Sequence, residues 1–267
     1  MGSYLLTEKL PMYDITKLLP QSQLKELLTL LPSPTNKRFG RPRCKQKYLL
    51  TGIIQVLVLG IGWNQIFNCG CSSSSCYRYF KELQRRSIYK QLFKKLSKTK
   101  TNITECASDT DTIKSYRFKA QVGWDGRHQV NGTKISLLSD IDGLPADTII
   151  ETAKTFDGNF IDRHMENTRR RRKKILNLDK IYVSLKRRRE YRNKGTYVNM
   201  QTRSKDYIHK RGPKFQVKEE KYQVRFKIER TFAWVENFKR VKYRVDRYIS
   251  SYRAFVYLAL IIILIRN

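Results

Sequence analysis

Apolar positions recur along this chain with two spacings, and the switches between them divide it. From Ser22 to Leu31 leucines return at helical intervals until Pro32-Ser-Pro34 ends the run. Tyr48 to Trp63 is apolar and helical in character, with Gly60 and Gly62 as its stop. Ser72 to Leu83 opens with serines able to cap a helix and carries Tyr77, Arg78, Tyr79 and Lys81. A polar linker, Ser97 to Asn102, precedes a change to alternation. Ile103 to Tyr116, Gly132 to Asp140 and Ala146 to Thr152 read as three antiparallel strands, with Asp142-Gly143 as a turn. Phe160 to Thr168 reads as a helix, Ile175 to Leu178 as a short buried strand, Leu185 to Arg192 as a basic helix and Thr196 to Met200 as a strand. Tyr222 to Phe238 closes the pattern as a helix with Val224, Ile228, Phe232, Val235 and Phe238 on one stripe. The expected organisation is a helical region over residues 1–98 and an α/β domain over 99–267.

Composition adds the partner. The 267 residues hold 55 Lys and Arg against 23 Asp and Glu, a formal charge of +32, which attracts polyanions and above all nucleic acid. Two short helices around a Gly-containing turn, the second bearing Tyr77, Arg78 and Lys81, outline a helix-turn-helix for DNA, although many helical hairpins look alike. The basic stretch with Arg41 and Arg43 reads either as an arm along a phosphate backbone or as an ordinary charged linker.

Nothing in the sequence points to a membrane or a secretory route. The wholly apolar run Ala254 to Ile265 falls short of the roughly twenty residues needed to span a bilayer and is expected to be a buried helix. Five cysteines without a secretory leader fit a reducing compartment. Cys69, Cys71 and Cys76 are the only cluster. A closed zinc site needs four ligands and no His stands at zinc-finger spacing, so structural zinc is not expected.

Acidic residues sit where chemistry collects. Asp109 and Asp111 share one face of the first strand, Asp179 ends the fourth, and Glu229 lies on the closing helix. On spacing alone, Arg225 and Glu229 are most simply an i, i+4 ion pair. Taken with the two aspartates, Glu229 fits phosphodiester chemistry between carboxylates that hold divalent metals, with oxygen ligands favouring Mg²⁺ or Mn²⁺. Asp140 and Asp142 read as turn chemistry.

These residues resemble bacterial insertion-sequence transposases of the DDE class, close to insertion-sequence families four and five. The resemblance is carried by Tyr222-x-x-Arg225-x-x-x-Glu229, the Asp109-Thr-Asp-Thr strand, Gly132-Thr-Lys134 with Asp140 to Pro145, and Leu176-Asn-Leu-Asp179-Lys-x-Tyr182. It extends from about residue 40 to the C-terminus and departs at Ile181, Val183 and Glu236, where relatives carry Gly, Asp and Lys. It implies a ribonuclease-H-like mixed sheet flanked by helices, with Asp109, Asp179 and Glu229 as ligands of Mg²⁺ (or Mn²⁺) and Asp111 in reserve for the first. It also implies that Tyr222, Arg225 and Lys134 contact DNA. The implied activity is cleavage and strand transfer on double-stranded DNA, at inverted-repeat ends and target, by a homodimer in the bacterial cytoplasm at the nucleoid. A copy that binds DNA without cutting it, or a basic RNA-binding protein, are the alternatives.

Overall fold

The computed structural model describes residues 16, 18–34, 42–115, 121–179, 182, 185–200 and 217–267. Its contacts divide the chain into two compact units, residues 1–88 and 89–267.

The first unit is helical: α1 (Gln21–Leu30), α2 (Gln46–Leu59) and α3 (Ser73–Arg85), with a 3-10 turn at Trp63–Gln65 between the last two. Gly60 ends α2 in the left-handed region, at φ 71°, where a side chain would be strained. Ser72 caps α3 by accepting from the Ser75 backbone N–H. Helix α3 buries Cys76, Tyr79, Phe80 and Leu83 and exposes Tyr77, Arg78 and Arg85, the two-sided pattern expected of a surface helix. Tyr79 anchors it further by donating from its hydroxyl to the Pro32 carbonyl at 2.6 Å.

The second unit opens with α4 (Ile88–Lys100), a helix not expected from the sequence pattern, which takes in most of the expected linker from Ser97 to Asn102. The break from α3 is two residues, Arg86 and Ser87, with Ser87 held at φ 57°. There follow β1 (Glu105–Lys114), β2 (Gly123–Asp125), β3 (Val130–Asp140), β4 (Pro145–Thr152), α5 (Gly158–Asn167), β5 (Ile175–Leu178), α6 (Leu185–Asn193) and β6 (Tyr197–Asn199). The chain then forms α7 (Glu219–Tyr222), α8 (Val224–Glu236), α9 (Lys239–Lys242) and α10 (Ile249–Arg266). The main path of the sheet runs β4-β3-β1-β5-β6, with β2 pairing along the start of β3. Strands β1, β3 and β4 pair antiparallel, while β1, β5 and β6 run parallel. That order and sense make the mixed, ribonuclease-H-like sheet expected above. Only β2 is added to the expected strands; three residues are too few to show an alternating pattern.

Alternation assigns the faces. Cys106 on β1, with Leu138, Leu176 and Leu178, packs against Ile161 of α5 and Tyr191 of α6. The opposite face takes α8, which packs on β1, β3 and β5, and α10, which packs on β4 and α8. Helix α10 is apolar and long enough to cross a membrane by length and composition, yet Phe255, Leu258, Ala259, Leu260 and Ile261 have no exposed surface. The closing helix differs from expectation: α8 runs Val224–Glu236, with Tyr222 ending α7 and Phe238 at the N-cap of α9. Thr231 is fully buried in place of Phe232, because its hydroxyl donates to the Gly143 carbonyl of the β3–β4 turn.

Candidate active site

The register of the parallel pair β1–β5 ends at Ser108 opposite Leu178. The next residues along the two strands are Asp109 and Asp179, so adjacent strands spaced about 4.8 Å apart bring forward two carboxylates seventy residues apart in sequence. Helix α8 lies over β1 and supplies Arg225 and, one turn on, Glu229. The Arg225 guanidinium stands between the other groups, 3.9 Å from an Asp179 carboxylate oxygen and 3.8 Å from one of Glu229. Both distances exceed a hydrogen bond, and the buried Arg225 Nε has no hydrogen-bond partner. Asp109 completes the group. Burial pushes its carboxyl up to about 6, and the charges of Asp179 and Glu229 add to the rise, while the Thr110 N–H and Arg225 oppose it.

Each member has a visible means of support. Asp109 sits on a strand whose other face is fastened by a buried chain of hydrogen bonds. The Thr110 hydroxyl bonds Ser136 at 2.9 Å, Ser136 bonds His164 Nε2 at 3.0 Å, and His164 Nδ1 meets Asp147 at 2.7 Å. Ser136 and His164 are almost completely buried, so this serine–histidine–aspartate series acts as a strut and not as a nucleophile. Asp179 is steadied from α7, where the Tyr222 hydroxyl donates to the Leu178 carbonyl at 3.4 Å. Glu229 is held by the docking of α8 on the β3–β4 turn. Besides the Thr231 bond, Arg230 donates to the Asp142 carbonyl at 2.7 Å.

That turn is Asp140's work: its carboxylate accepts the backbone N–H groups of Asn102, Asp142 and Leu144 at 3.1, 3.0 and 2.8 Å. Gly143 is left-handed at φ 82°, and a Cβ there would come within 2.9 Å of the Lys227 carbonyl oxygen of α8.

Other predicted residues fall elsewhere. Asp111, two positions along β1, has Glu236 and His128 as its charged neighbours instead of Asp179 and Glu229. Lys134 faces the α5 side of the sheet, where its ammonium is 2.7 Å from Asp157 and 3.7 Å from Asp125 and donates to the Thr155 carbonyl. The structure therefore does not bring Lys134 to the acidic group. Arg41, Ile181 and Val183 lie outside the described residues. In the first unit, Arg43, Tyr77, Arg78 and Lys81 line an open groove of about 460 Å³ together with Glu82, Arg85 and Arg86. Arg43 pairs with Glu82 at 2.5 Å, and Tyr77 stacks edge-on against Trp63 at 5.2 Å.

On its own charges the donor set suits a divalent ion. Three ionised carboxylates and one guanidinium sum to −2, and all candidate ligand atoms are oxygens, which fits a hard dication. Among the described residues the three carboxylates are not all within 4.8 Å of one another. The group is thus assembled around Arg225 and is wider than a set of atoms already closed on one ion.

Known proteins give the comparison. The family described as Transposase DDE domain matches residues 80–264. No curated protein matches the chain. A similar solved structure is a piggyBac transposase synaptic complex with hairpin DNA, 10% identical, with a TM-score of 0.44 over 73% of this chain and 50% of that one. The chain spans about half the length of that relative.

Proposed function

Since the chain belongs to the transposase DDE domain family, we propose that it binds double-stranded DNA at the terminal inverted repeats of a bacterial insertion sequence and catalyses strand cleavage and strand transfer there. The observation that carries this reading is the convergence of Asp109, Asp179 and Glu229 on Arg225. Those three carboxylates would hold Mg²⁺, or Mn²⁺ in its place. When bound, the ions supply charge stabilisation to the attacking and leaving oxygens of a phosphodiester.

The remaining work belongs to the chain's own groups. Arg225 offsets part of the mutual repulsion of the carboxylates, its guanidinium standing 3.9 Å from Asp179 and 3.8 Å from Glu229. Tyr222, 5% exposed, fixes the end of β5 through its hydroxyl. The exposed side of α3, with Arg78 and Lys81, together with Arg43 and Tyr77 beside it, is the surface offered to the DNA backbone and bases. Active complexes of this kind would pair two copies of the chain.

The test is cleavage of DNA carrying the repeat ends, with and without Mg²⁺. The wild-type chain is expected to nick those ends only with the ion, and Asp179→Ala to reduce the rate by at least about a hundredfold, the scale of losing an electrostatic contributor to the transition state. Cleavage that survives in Asp179→Ala contradicts the assignment. Repeat binding with no cleavage in the wild type identifies a copy that only binds.

A further inference from the structure

Outside the carboxylate group, the described residues contain one other assembly of ligand atoms, and it lies in the first unit. The thiols of Cys69, Cys71 and Cys76 are mutually close: 3.8 Å between Cys69 and Cys71, 3.9 Å between Cys69 and Cys76, and 3.3 Å between Cys71 and Cys76. Four thiolates bound tetrahedrally at about 2.3 Å from zinc stand about 3.8 Å apart, by the geometry of the tetrahedron. Two of the three edges already have that length. No disulfide joins them; all are free thiols.

A fourth thiol arrives from a different segment. Cys44 directly precedes the N-cap of α2, and its Sγ points to the carbonyl of Gly70, the residue between Cys69 and Cys71, at 3.9 Å. Its Sγ is not within 4.8 Å of all three clustered thiols, and a bound ion would draw it in. The backbone makes room for the group. Gly70 turns the chain at φ 83° so that Cys69 and Cys71 face the same way. Gly52 of α2 faces Cys76, and a Cβ there would stand 2.5 Å from its Sγ. Cys69 and Cys76 are buried and Cys44 and Cys71 half-buried, the closed character of a structural site and not the open position of a catalytic one. A tetrathiolate zinc centre carries −2, and Arg43 and Lys45 flank Cys44 in sequence.

We propose that Cys44, Cys69, Cys71 and Cys76 together bind one structural Zn²⁺ ion as four thiolates. The ion ties the start of α2 to the start of α3 and fixes the helix that presents Tyr77, Arg78 and Lys81. Binding releases the thiol protons and involves no change of oxidation state. The expectation of no zinc, drawn from three clustered cysteines, is thereby revised. Cys44 stands twenty-five positions upstream of Cys69, too far for a compact motif, and only the pairing of α2 with the turn before α3 brings it in.

The full-length chain, purified reduced and without chelator, is expected to carry one zinc per chain by elemental analysis. X-ray absorption at the zinc edge is expected to show four sulfurs at about 2.3 Å, and Co²⁺ substitution to give the absorption of a tetrahedral thiolate site. Three sulfurs with a nitrogen or oxygen would remove Cys44 from the set. Zinc lost on gel filtration, or a stable Cys71–Cys76 disulfide in protein kept reduced, would overturn the site. Cys44→Ser is expected to weaken zinc retention at least tenfold, and unchanged retention with the same cobalt absorption also overturns the four-ligand assignment. These spectra are read on the wild-type chain and do not depend on the folding of a variant. Asp179→Ala is expected to keep its zinc, so failure at the carboxylates and failure here are told apart.

Discussion

Asp109 is the residue at which the fold works against itself. Its carboxyl is pushed up to about 6 from an ordinary 3.8, chiefly by burial and further by Asp179 and Glu229. Below about pH 4 the group is protonated in folded and unfolded chains alike. Between about 4 and 6 the folded chain keeps a proton that the unfolded chain has released, so stability falls as pH rises through that window. A shift of about two pKa units sets a ceiling of about 3 kcal/mol on the cost. Asp109→Asn, which stays neutral, is therefore expected to be more stable than wild type at pH 7.5 in EDTA by up to about 3 kcal/mol, with the advantage gone near pH 4. Denaturant unfolding at the two pH values measures this; a variant less stable at both contradicts it. Saturating Mg²⁺ is expected to narrow the gap at pH 7.5, since it supplies the charge the carboxylates lack.

Among the elements, α8 carries the most consequence because its position places Glu229. It is set by a turn 88 residues away in sequence, through Thr231 and Arg230 bonding the carbonyls of Gly143 and Asp142. Gly143→Ala combines an unfavourable φ with a Cβ pressed to 2.9 Å from the Lys227 carbonyl. It is expected to cost about 1–3 kcal/mol in unfolding and to lower cleavage more than DNA binding. Cleavage and unfolding both unchanged would mean that the turn does not position α8. The strands and the apolar helices were legible in the sequence because their periods of two and 3.6 are set by burial, and that burial is local. Asp109, Asp179 and Glu229 are candidates taken from a shared strand face, a strand end and helix spacing together with the family resemblance, and the structure groups them about Arg225. What the sequence hid was non-local: Thr231 as a buried residue, because its partner lies across the turn; the Ser136–His164–Asp147 strut, because its members come from β3, β4 and α5; and Cys44, because its partners lie beyond a whole helix. Helix α4 was not read from the sequence, and its start is marked only by Arg86 and a left-handed Ser87, a residue with no strong preference for that conformation.

At the scale of the molecule, charge and geometry divide the work. A surplus of +32 attracts polyanions to any part of the surface, so affinity for DNA by itself would say little about the site. Arg78→Ala with Lys81→Ala is expected to lower the slope of log K against log salt by up to about two units while changing unfolding by less than about 1 kcal/mol, since Arg78 is exposed and Lys81 is half-buried on the same surface. An unaltered slope would move the DNA surface off α3.

The catalytic reading rests instead on two strands and a helix placing three acids about one arginine. Mn²⁺ binding to the full-length chain, followed by electron paramagnetic resonance at pH 7.5, tests that placement most directly. Wild type is expected to bind the ion, and Asp109→Asn, Asp179→Asn and Glu229→Gln each to weaken binding at least tenfold, with Asp111→Asn close to wild type. Binding that persists unchanged in all three variants would show that these carboxylates do not form one metal-holding site.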